Sequence, residues 1–118
     1  MNKRELFSNL QYYSLLFIIP SFILEFKLLI INTFILLIVF LVALLILIFA
    51  YYGKKKETGV VVASLPLALF NIIGYGILGV PEHFALREFI SGILDLIVSL
   101  LQLAVIIASL LILKQKTR

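Results

Sequence analysis

Apolar residues occupy four long segments of this chain, and short polar stretches separate them. The segments cover residues 6–26, 28–52, 59–80 and 89–113, within a single membrane domain of residues 1–118. Because a helix rises about 1.5 Å per residue, each segment is about long enough to cross the hydrocarbon core of a bilayer. The pattern predicts an all-α integral membrane protein in which four transmembrane helices form an up-down bundle.

The first segment is the least apolar of the four. Ser8, Gln11 and Ser14 make its first half amphipathic, and Pro20 predicts a kink further along. A helix of this kind can also lie flat at the membrane surface. The alternative is therefore an interfacial N-terminal helix followed by three spans.

The distribution of basic residues favours four spans. With four crossings, eight of the ten Lys and Arg residues lie on one side of the membrane, and Lys27 and Arg87 lie on the other. Basic residues are enriched on the cytoplasmic side, which predicts a multi-pass protein of the cell membrane with both termini in the cytoplasm. The interfacial alternative moves Lys3 and Arg4 across and reduces the ratio to six against four.

Composition narrows the choice of partners. The chain is 64% hydrophobic and has a mean hydropathy of +1.23, which a bilayer accommodates and a soluble domain of 118 residues does not. The net charge of +4 comes mostly from residues at the segment ends, so no nucleic-acid partner is predicted. Heavy use of Ile, Leu, Phe and Lys is typical of an AT-rich prokaryotic genome.

The residue types that usually hold cofactors are nearly absent. There is no Cys, and the single His, His83, is predicted to lie in the loop between the third and fourth segments. Thiolate ligation, and bis-histidine haem ligation within one copy, are excluded. We expect no cofactor or metal within the chain, although a bound lipid or quinone is compatible with it. No nucleophile–base pair predicts catalysis by this chain alone.

Asp95 is the one charged residue well inside a membrane-length apolar segment. A carboxylate at the centre of a span costs about 3 kcal/mol on insertion scales, so such a residue is by default a candidate functional group. Other polar side chains share its helical face. This polar seam consists of Ser91, Asp95, Ser99, Gln102 and Ser109. The seam is predicted either to join helices by hydrogen bonds or to line a wet or protonatable path.

The opposite face of the same segment carries Ala104 and Ala108, where small side chains permit close helix packing. A helix with two such faces is predicted to contact two neighbours. Asn71 and Tyr75 of the third segment reach a depth similar to that of Asp95, so one of them is its expected hydrogen-bond partner. No cation is expected at that depth.

Three glycines, Gly74, Gly76 and Gly79, lie near the end of the third segment. They match the G-x-G-x-x-G pattern of dinucleotide-binding turns, but that pattern functions between a strand and a helix and not inside a membrane span. Gly-Tyr-Gly also resembles the centre of a potassium-channel filter, although Ile72 and Ile77 stand where those filters carry Thr and Asp. We interpret the glycines as positions of close helix packing or local unwinding.

Two functions stay open at the level of the sequence. The first is a small non-catalytic subunit of a larger respiratory or transport complex, which would pack the polar seam and the alanine face of its last helix against neighbouring subunits. The alternative is a small homo-oligomeric ion or proton channel or transporter that uses Asp95. Its path would be lined by Asn71, Tyr75, Ser99 and Gln102. The expected partners are the lipid bilayer and either other membrane subunits or further copies of the chain.

Overall fold

The protein is almost entirely helical over the residues that the structure, a computed structural model, describes: 3–26, 32–54 and 58–116. Its elements are α1 (Lys3–Leu24), α2 (Thr33–Gly53), α3 (Thr58–Asn71), a π-helical segment (Ile72–Gly79), α4 (Val80–Ala85) and α5 (Phe89–Lys116). Four helical stretches are long and apolar enough to cross a membrane, because α3, the π-helical segment and α4 run on as one. The prediction of an all-α protein with four helices of spanning length is confirmed.

The helix boundaries differ from the predicted segments. The first helix ends at Leu24 instead of residue 26, and α2 begins at Thr33 instead of residue 28. Residues 27–31 lie outside the described residues. Asn32 precedes α2, and its side-chain oxygen accepts a hydrogen bond from the backbone N–H of Ile35 at 3.4 Å. This contact gives a partner to one of the donors that every helix start leaves free.

The prediction that His83 lies in a loop is wrong, because α4 continues the third span through it to Ala85. Pro81 stands at the start of α4, directly after the π-helical segment, and its fixed φ suits a helix. The polar residues that suggested a loop are therefore helical. His83 projects from a helix instead of a mobile connection, and it is 9% exposed.

A tight turn joins α4 to α5. The N–H of Glu88 donates to the carbonyl of His83 at 2.7 Å, and the N–H of Arg87 donates to the carbonyl of Phe84 at 3.2 Å. Arg87 has a φ of 60°, so the turn is a Schellman motif with Arg at the position that usually carries Gly. The turn brings the chain back so that Glu88 lies beside His83.

The central helix of the molecule is α5. It packs most extensively against α1 and α3, while α2 packs mainly against α1. Two groups of buried apolar side chains fill the interior. The first apolar cluster consists of Phe7, Val61, Ala68, Val105, Ala108 and Ile112. The second apolar cluster consists of Ile18, Val42, Ile46 and Val98.

The polar face and the alanine face of α5 are both covered by other helices of the chain. The five residues of the polar seam are buried, and none of them is more than 8% exposed. Ala108 is 2% exposed and belongs to the first apolar cluster, and Ala104 is half-buried. The two neighbours that the sequence predicts for this helix are therefore α1 and α3 of the same chain.

Candidate functional site

A buried hydrogen-bond network joins three helices at the level of Gln102. The side-chain amide of Gln102 donates to Ser14 Oγ at 2.7 Å and to Gln11 Oε1 at 3.3 Å. Its side-chain carbonyl accepts from Asn71 Nδ2 at 3.0 Å. None of these four side chains is more than 1% exposed. The polar half of α1, which made that segment amphipathic, is thus directed into the protein.

Further polar contacts lie nearer the end where α1 begins. Ser64 of α3 and Ser109 of α5 are 3.2 Å apart between their hydroxyl oxygens. The hydroxyl of Ser8 donates to the backbone carbonyl of Ala50 in α2. The side chains of the first apolar cluster lie among these pairs and close this end of the interior.

Asp95 is 3% exposed and makes its contacts within the chain. Its Oδ1 accepts a hydrogen bond from Ser21 Oγ of α1 at 3.1 Å. Its backbone carbonyl accepts from Ser99 Oγ at 2.8 Å, one turn further along α5. The prediction that Asn71 or Tyr75 is the partner of Asp95 is wrong, because Asn71 is bonded to Gln102 and Tyr75 packs against the second apolar cluster.

Three ionisable side chains from three helix ends converge beside Asp95. His83 Nε2 lies 3.2 Å from Asp95 Oδ2 and also contacts Glu25 Oε1. On the other side of the ring, His83 Nδ1 lies 3.5 Å from Glu88 Oε1. We call Glu25, His83 and Asp95 the acid–histidine cluster. The expectation that no cation lies at the depth of Asp95 is wrong, because an imidazole that can carry a positive charge is in direct contact with it.

Glu25 lies just beyond the last residue of α1 and is half-buried. Burial raises the pKa of its carboxyl above the ordinary value, because the charged form loses hydration. The imidazole of His83 acts in the opposite direction, and the charge of Asp95 adds to the rise. The cluster therefore holds acidic groups close together and partly out of water, which is costly unless positive charge is shared among them.

Two of the three glycines make room for α5. A Cβ at Gly79 would lie 2.6 Å from Asp95 Oδ2, and a Cβ at Gly76 would lie 2.7 Å from Ser99 Oγ. A Cβ at Gly74 would meet nothing within 4 Å. All three glycines lie in the π-helical segment, whose wide turns are frequent near functional sites. Because this stretch is a continuous helix, its carbonyls do not form a potassium-channel filter.

A cavity of about 440 Å³ opens beside the cluster. Glu25, His83 and Asp95 lie at its polar end, and Asn71 and Tyr75 lie along its wall. Apolar side chains of α2 and of the π-helical segment form much of the remaining lining. The cluster is therefore not fully enclosed by packed side chains, because this cavity adjoins it.

The charges separate along the molecule. Among the described residues, the acidic end carries Glu25, Glu82, Glu88 and Asp95, together with His83 and Arg87. The opposite end carries Lys3, Arg4, Lys54 and Lys114, together with Glu5. A concentration of carboxylates around a partly enclosed opening raises the local concentration of cations.

Sequence reasoning placed Asp95, Asn71, Ser99 and Gln102 in one region, and all four lie along the interior. It missed His83 and Glu25 as companions of Asp95, since the contact between segment ends leaves no periodic pattern in the sequence. One signal was present: Glu25 lies at the end of the first predicted span and His83 in the loop after the third, both on the side nearest Asp95. Ser91 is buried on the same face, but it joins none of the contacts described above.

Comparisons with known proteins add no constraint to this picture. No protein-family model matches the chain, and neither the curated proteins nor the solved structures contain a significant match. The function of the site therefore has to be inferred from its own geometry.

Proposed function

We propose that the chain is a small multi-pass membrane protein whose four helices cross the bilayer up and down and which conducts or transports cations. One observation carries this proposal: buried polar side chains follow one another along the interior, from the acid–histidine cluster to the Gln102 network, and we propose this series as the path. The path leads from Glu25, His83 and Asp95 past Ser99 to Gln102 and its partners.

The polar seam is covered by α1 and α3 of the same chain. This favours cation conduction or transport over a role in which the seam only binds a neighbouring subunit. A seam that served only to attach a neighbour would face outwards. Here Ser14 and Asn71 of the same chain bond to Gln102, and Ser21 bonds to Asp95. The residues of the path all belong to one copy, so a homo-oligomer is not needed to bring them together.

In the conformation described, the path is closed at two levels. The side chains around Gln102 are hydrogen-bonded to each other and fully packed, and beyond them the first apolar cluster separates the path from the basic end. Conduction requires these hydrogen bonds to exchange with those of a passing ion or its water. Networks of amide and hydroxyl groups suit such exchange, because they offer both donors and acceptors.

The direction of the charge gradient fits the entry of cations at the acidic end. Basic residues at the other end predict a cytoplasmic location for that end. The acid–histidine cluster then lies near the outer surface, where its carboxylates attract cations from outside. This orientation belongs to the proposal.

Flux through reconstituted protein tests the proposal. The purified chain is placed in liposomes that contain dyes for protons, K⁺ or Zn²⁺, and its flux is compared with that of empty vesicles. We expect flux of at least one cation, and we expect Asp95→Asn to abolish most of it. Asparagine keeps the size of the side chain and can still accept from Ser21, so folding is preserved as far as one substitution permits.

Glu5→Gln is the matched control, because it makes the same carboxyl-to-amide change at an exposed position near the opposite end. Its flux should equal that of the unaltered chain. Glu25→Gln serves as a second variant should Asp95→Asn fold poorly. Equal flux in Asp95→Asn and the unaltered chain, or no flux of any cation above empty vesicles, would contradict the proposal.

A non-catalytic subunit of a larger membrane complex is the second candidate. The observation in its favour is the position of α2 at the edge of the bundle, where large apolar side chains such as Phe34, Leu37 and Phe40 are more than half exposed. Either lipid or a neighbouring subunit can cover that surface. Purification of the untagged chain from its native membrane distinguishes the two, since a subunit should be recovered with partners in fixed stoichiometry.

A further inference from the structure

We propose that Glu25, His83 and Asp95 bind one divalent transition-metal ion, with Zn²⁺ as the representative of its class. This metal site would lie at the entrance of the proposed cation path, and its role there rests on the proposed function. Equilibrium binding tests it without any flux, so the two can fail separately.

The three side chains offer ligand atoms to a common point. One oxygen from each carboxylate and one nitrogen of the imidazole all lie within 4.8 Å of one another. The residues come from just past the end of α1, from α4 and from the second turn of α5, so the fold itself assembles the set. Ligand atoms about 2 Å from a shared metal ion are separated by about 3 Å, which the 3.2 Å between His83 Nε2 and Asp95 Oδ2 matches.

The orientation of His83 is the second observation. Its Nδ1 faces Glu88 Oε1 at 3.5 Å, and its Nε2 faces Glu25 and Asp95. A neutral imidazole carries one proton, and carboxylates face both of its nitrogens. Coordination of a metal ion by Nε2 requires that proton to lie on Nδ1, where Glu88 can accept it. The lone pair of Nε2 then faces the lone pairs of two carboxylate oxygens. Either a proton or a metal ion between these three electron-rich atoms relieves their repulsion, and a metal ion does so while it also coordinates all three.

Burial supplies an independent argument. His83 is 9% exposed and Asp95 is 3% exposed. Among the described residues, His83 Nδ1 and Glu25 Oε1 are buried atoms that make no well-aligned hydrogen bond, although Nδ1 lies 3.5 Å from Glu88 Oε1 and Glu25 Oε1 touches the imidazole. Buried polar atoms without partners are costly. A metal ion coordinated by Nε2 and the carboxylates would give Glu25 Oε1 a bond of good geometry.

The donor set selects the class of ion. One imidazole nitrogen with two carboxylate oxygens suits Zn²⁺ and neighbouring transition metals, whereas Mg²⁺ and Ca²⁺ prefer oxygen ligands throughout. Three protein ligands leave a coordination position for water or for exchange. The adjoining cavity reaches Asp95 and His83, so it gives the ion a route to that position.

The test uses the full chain purified in detergent, stripped with a chelator and titrated with Zn²⁺ by calorimetry. We expect one Zn²⁺ per chain. His83→Gln and Glu25→Gln should lose this stoichiometric binding, while Glu88→Gln, which alters only the orientation of the imidazole, should weaken it by about 10- to 100-fold. Glu5→Gln is the matched control and should bind as the unaltered chain does. A large excess of Mg²⁺ should not displace the ion.

X-ray absorption of the Zn²⁺-loaded chain gives a second readout, with scattering from one imidazole and otherwise oxygen ligands expected. Absence of stoichiometric Zn²⁺ binding in the unaltered chain would show that a proton shared by His83 and its two carboxylates accounts for the cluster, and would overturn the inference. Undiminished binding in His83→Gln would overturn it as well, because the ion would then lie elsewhere. Zn²⁺ binding without cation flux contradicts only the proposed function, and cation flux without Zn²⁺ binding contradicts only this inference.

Discussion

At the scale of single residues, the cost of burying Asp95 is met inside the chain. A carboxylate in a span needs a partner, a proton or water. Ser21 donates to one oxygen, and His83 faces the other. The special position of Asp95 was readable from the sequence, because a lone charge in an apolar segment is visible without a structure. Its partners were not, because they approach from other helices.

Gly79 and Gly74 provide a matched test of how closely α5 approaches the π-helical segment. Gly79→Ala places a methyl group 2.6 Å from Asp95 Oδ2, and we expect a loss of about 1–3 kcal/mol of stability from overpacking. Gly74→Ala meets open space, so its better helix propensity should leave stability unchanged or raise it by up to about 1 kcal/mol. Unfolding in mixed micelles followed by circular dichroism measures both. Equal stabilities of the two variants would show that Asp95 does not contact the glycine.

At the scale of elements, the interpretation of α1 differs most between the sequence and the structure. Its polar first half suggested a helix at the membrane surface as an alternative to a span. In the structure those side chains form one side of the Gln102 network, and α1 packs along α5. Amphipathic periodicity predicts that a helix has a polar face, but it does not distinguish water from the polar face of another helix.

The network around Gln102 is expected to hold α1, α3 and α5 together. Gln102→Met removes three interhelical hydrogen bonds and strands the side chains of Gln11 and Asn71. With about 0.6 kcal/mol for each such bond in membrane proteins, we expect a loss of about 2 kcal/mol of stability. Leu103→Met is the control, because it introduces the same residue one position away on a side chain that is 48% exposed. A loss of similar size in both variants would contradict a structural role for the network.

At the scale of the whole molecule, the separation of charge and the number of spans are linked. If all four helices cross, Lys3, Lys54 and Lys114 share one side and Arg87 lies on the other. If α1 lies in the interface, Lys3 changes sides. The absence of cysteine makes the question directly measurable.

Single cysteines that replace Lys3, Lys54 and Arg87 should report on which side of the membrane each position lies in intact cells. With a membrane-impermeant maleimide, we expect Arg87→Cys to react from outside and Lys3→Cys and Lys54→Cys to react only after permeabilisation. Labelling of Lys3→Cys from outside, with Lys54→Cys still protected, would replace four spans by three and an interfacial helix. Labelling after permeabilisation is the control that each cysteine is reactive.

The sequence by itself predicted an all-α protein with four helices long enough to span a membrane, and it showed the position of Asp95, its most unusual residue. Apolar length predicts helices of spanning length because the hydrocarbon core excludes most polar residues, and periodicity predicts the polar seam because helical geometry is regular. Only the tertiary structure decided what faces that seam. In it the third long helix extends to Ala85, His83 and Glu25 lie beside Asp95, and the polar face of α1 is directed towards α5. These contacts join side chains far apart in the chain, and they depend on how helices pack, which no local pattern encodes.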